Sequence, residues 1–168
     1  RTITSSLSDI HGAITGAIAS LKGPLHGGAN EEVMHMMNKI KKPENALKWI
    51  NSALKNKEVV MGFGHRVYKS GDSRVPTMEK YFKKVSKIKN DKKFLKIYDI
   101  VKNVMIEKKD IHPNVDFPTG PTYHLMGFDT DFFTPIFVLS RITGWSAHIM
   151  EQHAANKLIR PLSKYSGE

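Results

Sequence analysis

Residues 80–109 read KYFKKVSKIKNDKKFLKIYDIVKNVMIEKK, and they decide the fold class. Eleven lysines stand against Asp91, Asp99 and Glu107. Between them fall Tyr81, Phe82, Val85, Ile88, Phe94, Leu95, Ile97, Tyr98, Val101 and Val104. Apolar residues recurring three and four apart, with charge on the other positions, predict two amphipathic helices with solvated lysine faces. Pro76 suits the first turn of one, and residues 91–109 form the other. The stretch holds no arginine, the residue that forks onto bases and phosphates.

The same period continues outward. Ile3, Leu7, Ile10, Ile14, Ile18 and Leu21 predict one helix over residues 2–21. Its small residues, among them Ala13, Gly16 and Ala17, permit close packing on another helix, including one from a second subunit. Asn30 stands near the cap of a short helix with Glu31 and Glu32 in its first turn, where acids suit the dipole. Pro43 opens the helix PENALKWINSALKN. Thr134-Pro135 starts a long helix through Asn156, and IRPLSKYSGE reads as a tail. Two segments break the pattern. EVVMGFGHRVYKSGDSRVP carries a few β-prone residues and then Gly62, Gly64 and Gly71. HPNVDFPTGPT, with three prolines and a glycine, reads as a loop leading into the apolar stretch YHLMGF. The chain is predicted to be all-α, with its unusual residues gathered in three loops.

At 168 residues with 40% hydrophobic content, the chain fits one ordinary domain, or a domain plus an extension. The net charge is 26 − 16 = +10, which favours a polyanionic partner: nucleic acid, acidic lipid or a phosphorylated ligand. Without cysteine there are no disulfides and no thiolate metal sites. No apolar run reaches the length of a bilayer span. The opening RTITSSLSDIHG has neither the apolar core nor the small-residue cleavage site of a signal peptide. It lacks an initiator Met and begins inside an apolar pattern, so the chain is expected to be part of a longer one.

The first loop, in LKGPLHGGANEEVM, centres on His26. The second, GFGHR continuing to DSR, carries His65 and Arg74. The third, NVDFPTG, carries Asp116. Two histidines, an arginine and an aspartate form an acid/base set that needs neither metal nor covalent nucleophile. Each alone has a plain explanation: His26 as a cap, His65 in a glycine-rich turn, Asp116 bonding its own backbone. Together, on loops shaped by glycine and proline, they point to chemistry held on a rigid scaffold. No metal site is expected, since HExxH is absent and His148 and His153 are five apart, on different sides of a helix. No GxSxG marks a serine nucleophile.

KGPLHGGANEEV, VMGFGHRVYKSGDSR, HPNVDFPTG, FFTPIFVLSRITGWSAHIMEQ and NKLIRPLSKY resemble, in that order and over the whole chain, the citrate synthase family, including its 2-methylcitrate synthases. The resemblance implies a citrate synthase-like multi-helical fold, normally a cytoplasmic homodimer with a large and a small domain and the active site in the cleft between them. Residues 1–25 would belong to a large-domain helix, 26–127 to the small domain, and 128–168 to the C-terminal helix and tail of the large domain. The family's upstream HExxN-type segment is missing, so an N-terminal portion of the same enzyme is expected as a partner.

The reaction implied joins acetyl-CoA to oxaloacetate and hydrolyses the thioester to citrate and CoA, with CoA thioester as substrate and no tightly bound cofactor. By resemblance Asp116 is the base, and its apolar neighbours Val115, Phe117 and Pro118 suit it by partial desolvation. His26 would donate a hydrogen bond to the thioester oxygen, with Pro24 and the glycines letting the backbone fix the ring against substrate. His65 would polarise the oxaloacetate ketone. Arg74 and Arg141 resemble carboxylate clamps, for which the planar guanidinium fork is suited. Phe137, one turn before Arg141, can face the same pocket. Arg160 resembles the arginine supplied to the partner subunit's site. Gly62 and Gly64 would let backbone amides approach CoA, with Lys69 and Lys109 as phosphate-contacting positions.

The loop reads NVDFPTG where many citrate synthases read NVDFYSG, and similar FP-type loops occur among relatives that accept propionyl-CoA, so 2-methylcitrate synthase stands as the alternative. Outside the class, a basic helical nucleic-acid-binding module explains the charge but not His26, His65 and Asp116. A helical dimerisation fragment without activity of its own is a third reading.

Overall fold

The computed structural model describes residues 1–68, 71–164 and 166–167. Eight helices follow one another among the described residues: α1 Thr2–Ser5, α2 Ile10–Leu21, α3 Ala29–Ile40, α4 Pro43–Lys55, α5 Val75–Ile88, α6 Lys93–Lys109, α7 Asp116–Met126 and α8 Phe133–Ala154. A 3-10 turn, Thr130–Phe132, precedes α8. The β-prone residues after Glu58 form no strand; an isolated antiparallel bridge pairs Phe63 with Pro113. Among the described residues no helix is long and apolar enough to cross a membrane.

The lysine-rich segments are helices, as their period predicts. Their apolar sides bury Phe82, Phe94, Ile97, Tyr98 and Val101 in a core shared with Val33, Met37, Ile50 and Phe117. An aromatic column runs through it. Phe82 meets Tyr98 edge-on at 5.4 Å, Tyr98 stacks on Phe117 at 4.5 Å, and Phe117 lies 4.5 Å from Phe63. Such pairs add about 0.5–1.5 kcal/mol beyond their burial. The column ties α5, α6 and α7 to the glycine loop, so the residues beside Phe63 and Phe117 start from fixed positions.

The α1, α2 and α8 helices pack on one another. His153 Nε2 lies 3.1 Å from the Ser8 carbonyl oxygen, and Asn156 donates to the Ser5 carbonyl at 3.1 Å. Between the two groups, Glu31 accepts the Thr134 amide at 2.9 Å and so caps the start of α8 from α3. Leu7, Leu139 and Met150 remain exposed.

Two sequence expectations are corrected. The single helix over 2–21 is broken at Ser6–Asp9. Leu7 takes φ +66°, the Ser5 and Ser6 hydroxyls donate to the Thr2 and Ile3 carbonyls, and Asp9 restarts the helix by accepting the Gly12 amide at 2.8 Å. The predicted loop over 112–122 ends at Val115, and residues 116–126 are helical despite Pro118 and Pro121. Pro118 falls in the first turn, where amides have no helical partner. Thr119 and Thr122 donate their hydroxyls to the Val115 and Pro118 carbonyls, each at 2.6 Å, which supports the turns that the prolines weaken.

Candidate active site

His26 sits in the turn between α2 and α3, held by its amide to the Gly23 carbonyl at 2.9 Å. The glycines have a packing reason within the chain itself. A Cβ on Gly27 would come within 2.6 Å of Leu21 Cγ, and one on Gly28 within 2.7 Å of the Lys22 carbonyl oxygen. Both stay small because the turn folds back on the end of α2. The imidazole itself is exposed, edge-on to Phe137 at 6.4 Å, and Arg141 lies over that same phenyl ring at 5.0 Å. Phe137 thus sits beside His26, and Arg141, one turn further along α8, lies against Phe137.

The glycine loop and the approach to α7 are laced together. Gly64 donates to the His112 carbonyl and Asn114 to the Gly62 carbonyl, both at 2.9 Å, and the Asn114 side chain reaches the Gly64 carbonyl at 2.9 Å. Gly62, at φ +85°, has no room for a side chain: a Cβ would meet Phe117 Cβ at 2.7 Å and Val33 Cγ2 at 2.9 Å. This lacing brings His65 and Asp116 to the same place. The His65 Nδ1 accepts the amides of Val67 and Tyr68 at 3.0 and 3.2 Å. With Nδ1 occupied as an acceptor, the proton sits on Nε2, and the ring offers a donor outward.

Asp116 opens α7 with its amide donated to Asn114 Oδ1 at 3.0 Å. Burial pushes its carboxyl up to about 6; Arg74 opposes the shift and Asp72 adds to it. The direction is the one its apolar neighbours imply. Asp72 behaves oppositely. Burial would raise it, but bonds from Arg74 and from the Val115 amide hold it at about 2. Its partner Arg74 has its own proton held more firmly, chiefly by the bond to Asp72.

His26, His65 and Asp116 line one cleft of about 190 Å³, walled by Val60, Met61 and Phe63. Gly62 is also on its wall. Arg74 stands next to it through its effect on Asp116, and Phe137 through His26, with Arg141 behind Phe137. A second, more apolar cleft of about 390 Å³ shares Val59, Val60 and Phe63 with the first and carries Lys57 and Lys109 at its edge. Gly64, at φ +72°, lines neither cleft. Arg160 lies on the exposed tail and does not line the first cleft. Lys69, expected to contact phosphate, lies outside the described residues. Sequence reasoning passed over Asp72, Tyr68 and Asn114. For Asp72 the signal was present: an aspartate two residues before an arginine in GDSR.

The arrangement combines a carboxylate with raised proton affinity, an exposed imidazole and an oriented N–H donor around one space, which suits abstraction of a weakly acidic proton beside a carbonyl. The family model for the citrate synthase C-terminal domain matches residues 1–162. The 2-methylcitrate synthase 2 of Corynebacterium glutamicum is 59% identical over 168 residues, covering 100% of this chain and 44% of that protein. A citrate synthase of Mycolicibacterium smegmatis is 56% identical, covering 100% of this chain and 45% of its own length. Among solved structures, citrate synthase from Thermoplasma acidophilum with carboxymethyl coenzyme A and oxaloacetate superposes with a TM-score of 0.89 at 39% identity, over 99% of this chain and 46% of that one. The chain thus spans less than half the length of the relatives it matches.

Proposed function

The chain belongs to the citrate synthase family, and from that premise we propose that it forms the C-terminal part of an enzyme condensing a short acyl-CoA with oxaloacetate, propionyl-CoA being the preferred thioester. The observation that carries the condensation is the convergence of His26, His65 and Asp116 on one cleft. Propionyl-CoA is favoured over acetyl-CoA because relatives at 59% and 58% identity are named 2-methylcitrate synthases. The acetyl-CoA reading retains the 56% identical citrate synthase in its support.

In the reaction proposed, Asp116 takes a proton from the carbon next to the thioester carbonyl. His26 donates to the thioester oxygen as charge builds there. The carbon then attacks the ketone of oxaloacetate, whose oxygen accepts the hydrogen bond of His65 Nε2 as charge develops on it and takes its proton from solvent. Arg74 and Arg141 hold the carboxylates. Water then adds to the thioester carbon, and CoA leaves as its thiolate. The cleft edged by Lys57 and Lys109 suits the CoA chain and its phosphates. Residues 26–127 supply the small domain, residues 1–25 and 128–168 the large-domain helices, and a homodimer lets Arg160 serve the partner's site. On resemblance alone it is read as a cytoplasmic enzyme.

Turnover of the full-length enzyme with oxaloacetate and each thioester, followed by CoA release, tests this. Faster turnover with propionyl-CoA is the expected result. Faster turnover with acetyl-CoA reverses the substrate assignment, and no CoA release with either removes the function.

A further inference from the structure

Asp72 is only 5% exposed, yet it is fully used. Its Oδ1 accepts the Arg74 amide at 3.0 Å and Arg74 Nε at 2.9 Å. Its Oδ2 accepts Arg74 Nη2 at 2.7 Å and the Val115 amide at 3.0 Å. Four donors on one carboxylate explain how the charge tolerates burial. They also join two segments that are far apart in the chain. One carries Arg74; the other is the residue immediately before Asp116.

A guanidinium has two edges that can fork onto a carboxylate. Asp72 occupies the edge made by Nε and Nη2, which leaves the edge between Nη1 and Nη2 to face outward. The Arg74 side chain is 41% exposed, and among the described residues no hydrogen bond engages its Nη1. The plane is set on its other side by Tyr68, whose ring lies 5.3 Å from the Arg74 carbon and 4.6 Å from the His65 ring. A single buried anion therefore connects the base, the arginine and, through Tyr68, the imidazole.

We propose that Asp72 is a positioning residue for the condensation, fixing the outward edge of Arg74 and the start of the Asp116 helix with one carboxylate. The proposal rests on the reading of the cleft as a condensing site. Asp72 acts on no reacting atom. The groups facing Asp116 are His26 from the turn after α2, His65, Arg74 and Asp72 from the glycine loop, and Tyr123 on α7 itself. Of these, Asp72 is the negative charge. Removing that charge frees Arg74 to act on Asp116 and ends one repulsion, and both changes lower the proton affinity of the base.

The test is the pH profile of kcat in the full-length enzyme. Asp72→Asn keeps the size and removes the charge. Its acid limb should move down by at least half a pH unit, while KM for oxaloacetate rises several-fold as Arg74 loses its direction. Asp72→Glu keeps the charge but shifts the carboxylate by one methylene. It should hold the limb in place and lower kcat at least tenfold. A folded Asp72→Asn enzyme with an unmoved limb overturns the proposal. Should Asp72→Asn not fold, Asp72→Glu decides alone, and wild-type kcat and KM in that variant overturn it. Absence of any CoA release in the wild-type enzyme would instead sink the condensation reading, so the two failures are distinct.

Discussion

The backbone nitrogen of Val67 lies 3.0 Å from His65 Nδ1 and donates to it, which leaves Nε2 carrying the ring proton. A donor fixed in this way costs no reorganisation when charge develops on a ketone oxygen. His65→Ala should lower kcat by about 10²–10³-fold, the loss typical of one preorganised donor. His65→Gln places an amide N–H near the position of Nε2 and should recover part of that loss. Steady-state kinetics of the two variants check it; equal kcat values would remove the donor role.

As the proposed base, Asp116 must be ionised to accept a proton, and burial pushes its carboxyl up to about 6. Activity should therefore fall on the acid side with a midpoint near pH 6. The same shift carries a stability sign. A carboxyl that binds its proton more tightly when folded than when unfolded destabilises the fold once both states are ionised. Stability contributed by this group falls as pH rises from about 4 to 6. Asp116→Asn should raise stability at pH 7 by up to roughly 2–3 kcal/mol while cutting kcat by about 10²–10⁴-fold. Denaturant melts and kinetics on the same variant read both quantities, and a variant less stable at pH 7 contradicts the burial argument.

Asp72 has the opposite sign, because its folded value of about 2 lies below the ordinary 3.8. Its contribution is fully present above pH 4 and disappears as pH falls toward 2. Acid unfolding of the wild type should steepen below pH 4, and Asp72→Asn should flatten that limb. Melting temperatures between pH 2 and 5 check it.

The helices with a clear apolar period, α4 to α6, were legible because burial of one face is what specifies them, and α8 because Thr134-Pro135 marks its start. The loop histidines were legible because Pro24, Gly62 and Gly64 mark a backbone that a helix would not tolerate, and Asp116 because the HPNV segment before it interrupts the helical period just ahead of α7. What was not legible depends on contacts between distant segments. The break at Leu7 comes from side chains of Ser5, Ser6 and Asp9 competing with the backbone, against an unbroken apolar period. The α7 helix persists through two prolines because threonine hydroxyls and packing on Phe63 and Tyr98 support it. The role of Asp72 required knowing that Val115 lies beside it, and no local pattern encodes that.

Gly62 and Gly64 are both at positive φ, but they differ in space. An alanine at 62 would press on Phe117 at 2.7 Å and Val33 at 2.9 Å, whereas one at 64 meets Ile111 only at 3.7 Å. Gly64→Ala should cost about 1–2 kcal/mol, the conformational term alone. Gly62→Ala should cost about 1–3 kcal/mol more for the clash. Because Phe117 adjoins Asp116, the same change should also reduce kcat. Urea melts of the two variants give the comparison, and equal losses would show that the aromatic column yields at no cost.

Arg160 follows Ile159, whose amide donates to the Ser5 hydroxyl at 3.0 Å and fixes the root of the tail on α1. From there the chain is exposed, and no hydrogen bond or ion pair engages the Arg160 side chain among the described residues. An anchored root with a free guanidinium suits a residue that completes a site on another subunit. In the homodimer proposed above, Arg160→Ala should then raise KM for oxaloacetate by at least tenfold. Mixing it with Asp116→Asn should restore activity, because one of the two sites in the mixed dimer receives both an intact base and an intact arginine. Kinetics of mixed dimers against each parent measure this. If mixtures never exceed the sum of the parents, Arg160 serves its own chain or none.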